Sequence, residues 1–436
     1  MKHSTSFHFA ALGLSLCLLP LSPALADAYD PIYLSSVAEL EAALVDDNAG
    51  RRLVLLSGTY AVAGPLVVPD GVSLEGEGIM TGDGIPAGFE PGTVTTIVAA
   101  NPFPGDLLTL GDGARLMGLR LEQPYVVPGN VVTIKTRAPD DTNSASIVDC
   151  ELLSDNLNGV GPDGPIGAGV LVITRNPNPF GDPPPHDGSD LALRLDHSIV
   201  RVTPGGNAVF GMNFSSHSVI NISMSQNYLE GTLNTASVSR FDPTTGSAII
   251  VHSERNLYTA PASGTGSGLQ IQGGSGVPLP VAAPGADSNF AYVNSVNDRI
   301  EGFNQGVFAT AGRRFNSMTG TSSGNTVDLR FRGLVLETEG LDAADFKLFA
   351  SQADGQFAPG DDNILDVSIL RSTGSGPSQN QYADSADELG NPLPKQLSSG
   401  NRLKFNGNLR AFERSNSGIL PTPANKFFVG NSPPKN

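Results

Sequence analysis

At 436 residues, with 43 acidic against 26 basic side chains and a formal net charge of −17, the chain is too acidic to expect nucleic acid as a partner. Only 16% of its residues are charged, and its 51 glycines and 33 prolines suit many short strands and turns better than long helices. A polyanion is held off by such a field at long range unless a local row of cations overrides it.

Residues 1–26 combine Lys2, an apolar run from Phe9 to Leu21 and the ending Ala24-Leu25-Ala26, the pattern of a cleavable export leader. The run is too short to cross a bilayer and no later stretch is longer, so the expectation is a secreted or periplasmic protein with no membrane insertion. Cys17 lies inside the leader, with Leu16 where a lipoprotein signal carries a small residue. Cys150 is then the only cysteine of the mature chain. No intramolecular disulfide can form, and stability falls to packing and hydrogen bonds.

Ser36-Val37-Ala38-Glu39 reads as a capping box, and Val37, Leu40 and Leu44 fall on one helical face. The spacing predicts a helix over about 37–45, stopped by Asn48 to Gly50. From Arg52 the pattern changes to brief β-prone runs: 53–56, 66–68, 72–74, 94–98, 107–110, 116–121 and 131–134. Gaps of this size hold turns but no crossover helices, leaving an antiparallel sandwich or a stack of coils.

Self-similarity favours the stack. SIVDCELL (146–153), LRLDHSIV (193–200), NISMSQNYL (221–229), IIVHSERNL (249–257), AYVNSVNDRI (291–300) and VDLRFRGLVL (327–336) share one pattern of apolar, polar and apolar positions. Aligning Leu153, Val200, Leu229, Leu257, Ile300 and Leu334 gives coils lengthened by loop-like insertions at 176–188 and 259–287. Loops on one side of a solenoid are where such scaffolds place a binding surface. The expected organisation is a leader over 1–26, a β-helix over 27–370, and a linker and cap over 371–436.

The segment from Val37 to Gly78 resembles the opening of right-handed parallel β-helix proteins of the pectin-lyase-like superfamily. In those, a capping helix precedes a strand ending in G-x-Y, here Gly58-Thr59-Tyr60, and then a strand of the form Gly71-Val72-Ser73-Leu74-Glu75-Gly76. The resemblance implies an all-β, right-handed parallel β-helix with a short N-terminal helix. It also implies a polysaccharide as partner, acted on by a lyase, epimerase or hydrolase, or bound by a non-catalytic platform of the same fold.

Lyases of this fold need a base and a neutraliser of the uronate carboxylate, for which Ca²⁺ held by carboxylates is one solution; hydrolases need nearby carboxylates. LRLDHS carries Arg194, Asp196 and His197 and resembles a fragment of the pectate-lyase W-x-D-H strand, without its tryptophan or the accompanying R-x-P-x-x-R. The ordered polygalacturonase set is also missing, for the chain has no G-H-G. Asp182, His186, Asp187 and Asp190 crowd acid and imidazole into nine positions and are the metal candidates, against the plainer reading of a solvated, Pro-stiffened loop. Two places before the aligned apolar residues lie Glu151, Ser198, Asn227, Arg255, Asp298 and Arg332. If they stack, Arg255, Asp298 and Arg332 form an ion-paired ladder or a sugar-binding row, with Arg255 a further catalytic candidate. With no tryptophan in the chain, Tyr228 and Tyr258, with Tyr125 and Tyr292, are the candidates for stacking on sugars.

Overall fold

The computed structural model describes residues 30–407 apart from 104, 126–128, 156–158, 162–163, 175–185, 204–205, 240–242, 277–284, 315–319, 341, 354–357, 376–379, 388, 392 and 394–399. The leader, Asp182 and everything beyond 407 lie outside the described residues.

Apolar strands of three to ten residues bury little by themselves, and here they do so by stacking. Sheet 1 has twelve strands, from Ile32–Leu34 to Arg402–Gly407; sheet 2 has ten, from Gly58–Val62 to Thr373–Ser375; sheet 3 has ten, from Leu66–Val68 to Gln381–Ala386. The chain visits sheets 1, 2 and 3 in turn, and every strand pairs parallel with its counterpart one coil on, as Ala145 with Leu193 and Leu193 with Ile222. This is a right-handed parallel β-helix, the hand that parallel crossovers take. Two small antiparallel hairpins, Met80–Thr81 with Gly88–Phe89 and Gly159–Gly161 with Gly164–Ile166, leave the stack at its turns.

Alternation decides which side chains enter the core. In Asp190–Asp196, Leu191, Leu193 and Leu195 point inward and are buried, while Asp190 and Arg194 are exposed. Stacked inward residues form one continuous column of Leu, Val and Ile, joined towards the C-terminus by Tyr258, Phe303, Phe331 and Phe346. Each contributes on the order of 1.5–3 kcal/mol by leaving water.

The corners use two polar devices. Between sheets 1 and 2 the chain turns on one left-handed residue per coil: Asp149, His197, Gln226, Arg255, Asn297 and Arg371 have φ between 45° and 57°. Such a backbone costs a non-glycine residue roughly 1–2 kcal/mol. It persists because the N–H groups of Asp149, His197, Gln226, Arg255 and Asn297 are bonded to the next coil, as His197 N to Ser225 O at 2.9 Å and Arg255 N to Val296 O at 2.9 Å. Just inside this corner runs a buried ladder. Ser198, Asn227 and Asn256 each donate a backbone N–H to the side chain of the next rung, Asn227, Asn256 and Asp298, at 2.9, 2.9 and 2.7 Å. A second ladder, Ser247, Asn289, Asn325, Asn363 and Asn401, lines the corner between sheets 3 and 1 in the same way.

The N-terminal end is closed by the helix Val37–Ala43, two residues shorter than its spacing predicts because Leu44 leaves the helical backbone and a 3₁₀ turn follows over Asp46–Asn48. Ser36 accepts the Glu39 N–H at 3.2 Å, while the Glu39 carboxylate takes the N–H of Ser35 at 2.7 Å. Tyr60 of the G-x-Y segment donates its hydroxyl to the Leu34 carbonyl at 2.8 Å, tying the second sheet to the first strand of sheet 1. At the other end, strands at Thr373–Ser375, Gln381–Ala386 and Arg402–Gly407 extend the three sheets past the boundary expected at 370.

The aligned column differs from the expected one. Val200 lies between Leu152 and Leu229, and the column continues through Tyr258, Ile300 and Leu336. Leu153, Leu257 and Leu334 are therefore out of register by one, one and two residues. Because side chains alternate with a period of two, a one-residue slip exchanges inside for outside.

Candidate functional site

The register places the sequence-derived candidates in several environments. Arg194 and Asp196 lie on the outer face of sheet 1 and pair with each other. His197 follows at the corner, its Nδ1 2.6 Å from Asp149 Oδ1 and its Nε2 3.0 Å from the Gly82 carbonyl, so it ties the hairpin at 80–89 to the body. Arg255 occupies the same corner position two coils on, exposed, with Glu254 at 3.5 Å.

The expected row of Arg255, Asp298 and Arg332 is not formed. Asp298 is fully buried in the corner ladder, accepting from Asn256 N at 2.7 Å and Ser295 Oγ at 2.6 Å. Burial pushes its carboxyl up to about 6 against those hydrogen bonds. Arg332 ends its strand on the outer face, in register with Val296 and Leu370 rather than with Arg255 or Asp298. Tyr258 is a core residue whose hydroxyl meets Ser253 Oγ at 2.8 Å, so it offers no face to a ligand. Tyr228 is part-exposed on sheet 2, with the Arg201 guanidinium 5.2 Å from its ring centre.

Of the metal candidates, His186 is buried with Nδ1 2.7 Å from Thr136 Oγ1, Asp187 accepts the Ser216 N–H at 2.6 Å, and Asp190 is exposed at a strand start. Asp182 lies outside the described residues. Among the described residues no three His, Cys, Asp or Glu side chains converge as a metal site would require.

A different place gathers binding groups. The outward position of sheet 3 runs through Leu171, Phe210, Asn234, Gln270, Phe308, Lys347 and Gln381 in register. Its later part opens into a cleft of about 250 Å³ whose floor is Gln270, Phe308, Lys347 and Gln381. Ser267, Gln305 and Arg313 line the cleft as well, as do Phe349, Gln352 and the pair Leu389 and Gly390. Phe308 and Phe349 meet edge to face with centres 6.3 Å apart, and the Arg313 guanidinium lies 5.5 Å from the Phe308 centre. Ser267 donates to Gln305 Oε1 at 3.0 Å, fixing that amide. Burial draws the Lys347 ammonium below the ordinary lysine value, with Asp342 opposing. Two cations, four glutamine amides on neighbouring rungs and two rings line the cleft, with no carboxylate among the described lining residues. On a chain of net charge −17, this is a local positive groove rich in hydrogen-bonding groups.

Sequence reasoning missed this cleft because its groups come one or two per coil, far apart in the chain. The available signal was a lone lysine among Phe346, Leu348 and Phe349 in the strand Ala344–Ala353.

No family model matches the chain, and no curated protein matches it. Among solved structures, the Streptococcus pneumoniae surface protein and adhesin PfbA is 12% identical, covering 83% of this chain and 94% of its own at a TM-score of 0.40. Endo-xylogalacturonan hydrolase from Aspergillus tubingensis is 10% identical over 87% and 96% at 0.37. Endopolygalacturonase I from Stereum purpureum is 12% identical over 86% and 99% at 0.31. Likeness of this degree assigns no residue of this chain a role.

Proposed function

We propose that this protein is an exported β-helix that binds a uronate-containing polysaccharide in the cleft on sheet 3. The observation that carries the reading is the cleft lining: Lys347 and Arg313 beside the amides of Gln270, Gln305 and Gln381 and the rings of Phe308 and Phe349. Carboxylates of a uronate chain match the cations, hydroxyls match the amides, and the apolar sugar faces match the rings. The leader over residues 1–26 supports export.

The burial of Lys347 favours a second reading for the same site. A lysine more readily neutral than usual can take the C5 proton beside a uronate carboxylate, with Arg313 balancing the charge; a C4=C5 double bond then forms as the C4–O glycosidic bond breaks, and the departing oxygen takes its proton from the lysine or from water. Calorimetric titration with polygalacturonate, alginate and a neutral glucan tests the binding reading, and ultraviolet absorbance of unsaturated products tests the second. Equal affinity for the neutral glucan and the two acidic polymers would overturn the proposal. Tight binding without absorbance would leave a binding protein.

A further inference from the structure

The cleft crosses four consecutive strands, from Gln270 through Phe308 and Lys347 to Gln381, a length of about 14 Å at ~4.8 Å per strand. Gln381 lies on the last strand of sheet 3. Beyond that strand the chain does not leave the outer face free. It turns back at Asp387 and lays Gly390 against the rung it has just formed. A methyl group on Gly390 would come 2.3 Å from Gln381 Oε1 and 3.1 Å from Phe349 Cζ, and φ there is 85°.

This return is held firmly. The Asp387 carboxylate accepts from Leu389 N at 2.9 Å, Asn391 N at 2.7 Å and Asn391 Nδ2 at 2.8 Å. The Asp387 carbonyl accepts from Gly390 N at 3.0 Å and from Gln352 Nε2 at 3.1 Å, which pins the turn to the cleft floor. Leu389 is presented at the mouth with 72% of its surface exposed, the most of any large hydrophobic residue among those described. Leu389 therefore stands at the mouth beside the polar lining, where a ligand seated in the cleft would meet it.

We infer that the cleft is blind at its C-terminal end, and that the protein therefore captures the terminus of a saccharide chain, seated over Lys347 and Gln381 against Leu389 and Gly390. The inference rests on the saccharide-binding reading above and adds which part of the polymer is recognised.

The test titrates the purified protein with oligogalacturonates and oligomannuronates of two to eight residues in three forms: unmodified, borohydride-reduced at the reducing end, and 4,5-unsaturated at the non-reducing end. A blind cleft gives affinity that rises to about three residues and then stays level within twofold. One of the two end-modified forms binds at least tenfold more weakly, and Leu389→Ala erases most of that preference. Equal binding of all three forms, with affinity still climbing at eight residues, would make the cleft an open groove and overturn the inference while leaving saccharide binding standing. No binding by either series would overturn both.

Discussion

Sheet 3 has two halves with the same pairing and opposite outer faces. Around strands Ala168–Ile173, Asn207–Asn213 and Thr232–Ser239, the outward side chains Leu171, Ile173, Met212 and Val238 form a buried apolar cluster. From the next coil on, the outward column that starts at Leu171 carries Gln270, Phe308, Lys347 and Gln381 in a water-facing cleft. Inside, the two halves are alike, with Val170, Val209, Leu233, Leu269, Val307 and Phe346 stacked in one core. The backbone of a solenoid is thus indifferent to what stands outside it. What distinguishes the two halves is written on alternate residues of a few rungs.

The sharpest way to break the comparison is to exchange residues along the shared column. Leu171→Lys puts a charge into the apolar cluster, and unfolding free energy should fall by about 3 kcal/mol even with the lysine reaching for solvent. A denaturant titration indistinguishable from wild type would mean that the cluster is not closed to water.

Asp298 tests whether the interior and the outer cleft are independent. Burial raises its carboxyl to about 6 from the ordinary aspartate value of about 4, so the folded state holds this proton more tightly than the unfolded chain. The fold therefore loses stability as pH rises from about 4 to about 6, by on the order of 3 kcal/mol from this group. Asp298→Asn continues the ladder without a charge. It should match wild type near pH 4 and exceed it increasingly up to pH 7, with saccharide affinity unchanged; a pH-independent difference in melting temperature would remove Asp298 as the cause.

Lys347→Leu, the reciprocal exchange, should leave unfolding free energy within about 1 kcal/mol because the position is only part-buried. It should weaken oligouronate binding at least tenfold, about 1.4 kcal/mol. Unchanged affinity in calorimetry would take Lys347 out of the site. The smallest effect is on conditions. Uronate affinity should fall as salt is raised, and it should begin to fall with rising pH earlier than an ordinary lysine would allow, since burial lowers the Lys347 value. A flat salt profile would argue that the amides and rings alone hold the ligand.

The sequence by itself determined the kind of object this is. Alternation in LALRLD, single turn residues between short runs, the helix at 37–43 and the Tyr60 segment each reflect local geometry, and local geometry is readable from neighbours in the chain. Register was only half legible. Glu151-Leu152-Leu153 offers two apolar residues for one inward place, and Leu257-Tyr258 hides the inward residue behind the more obvious one. The left-handed corner residues Asp149, His197 and Arg255 look like any polar side chain in the sequence, so the turns they make were not legible there. The tertiary structure alone decided that Asp298 and Tyr258 are interior, that Arg255 and Arg332 stand apart, and that Gln270, Phe308, Lys347 and Gln381 share one floor. The reason is physical: strands about 4.8 Å apart in space are joined by coils of variable length, so what meets across the sheet is fixed by inter-coil hydrogen bonds and not by any spacing along the chain.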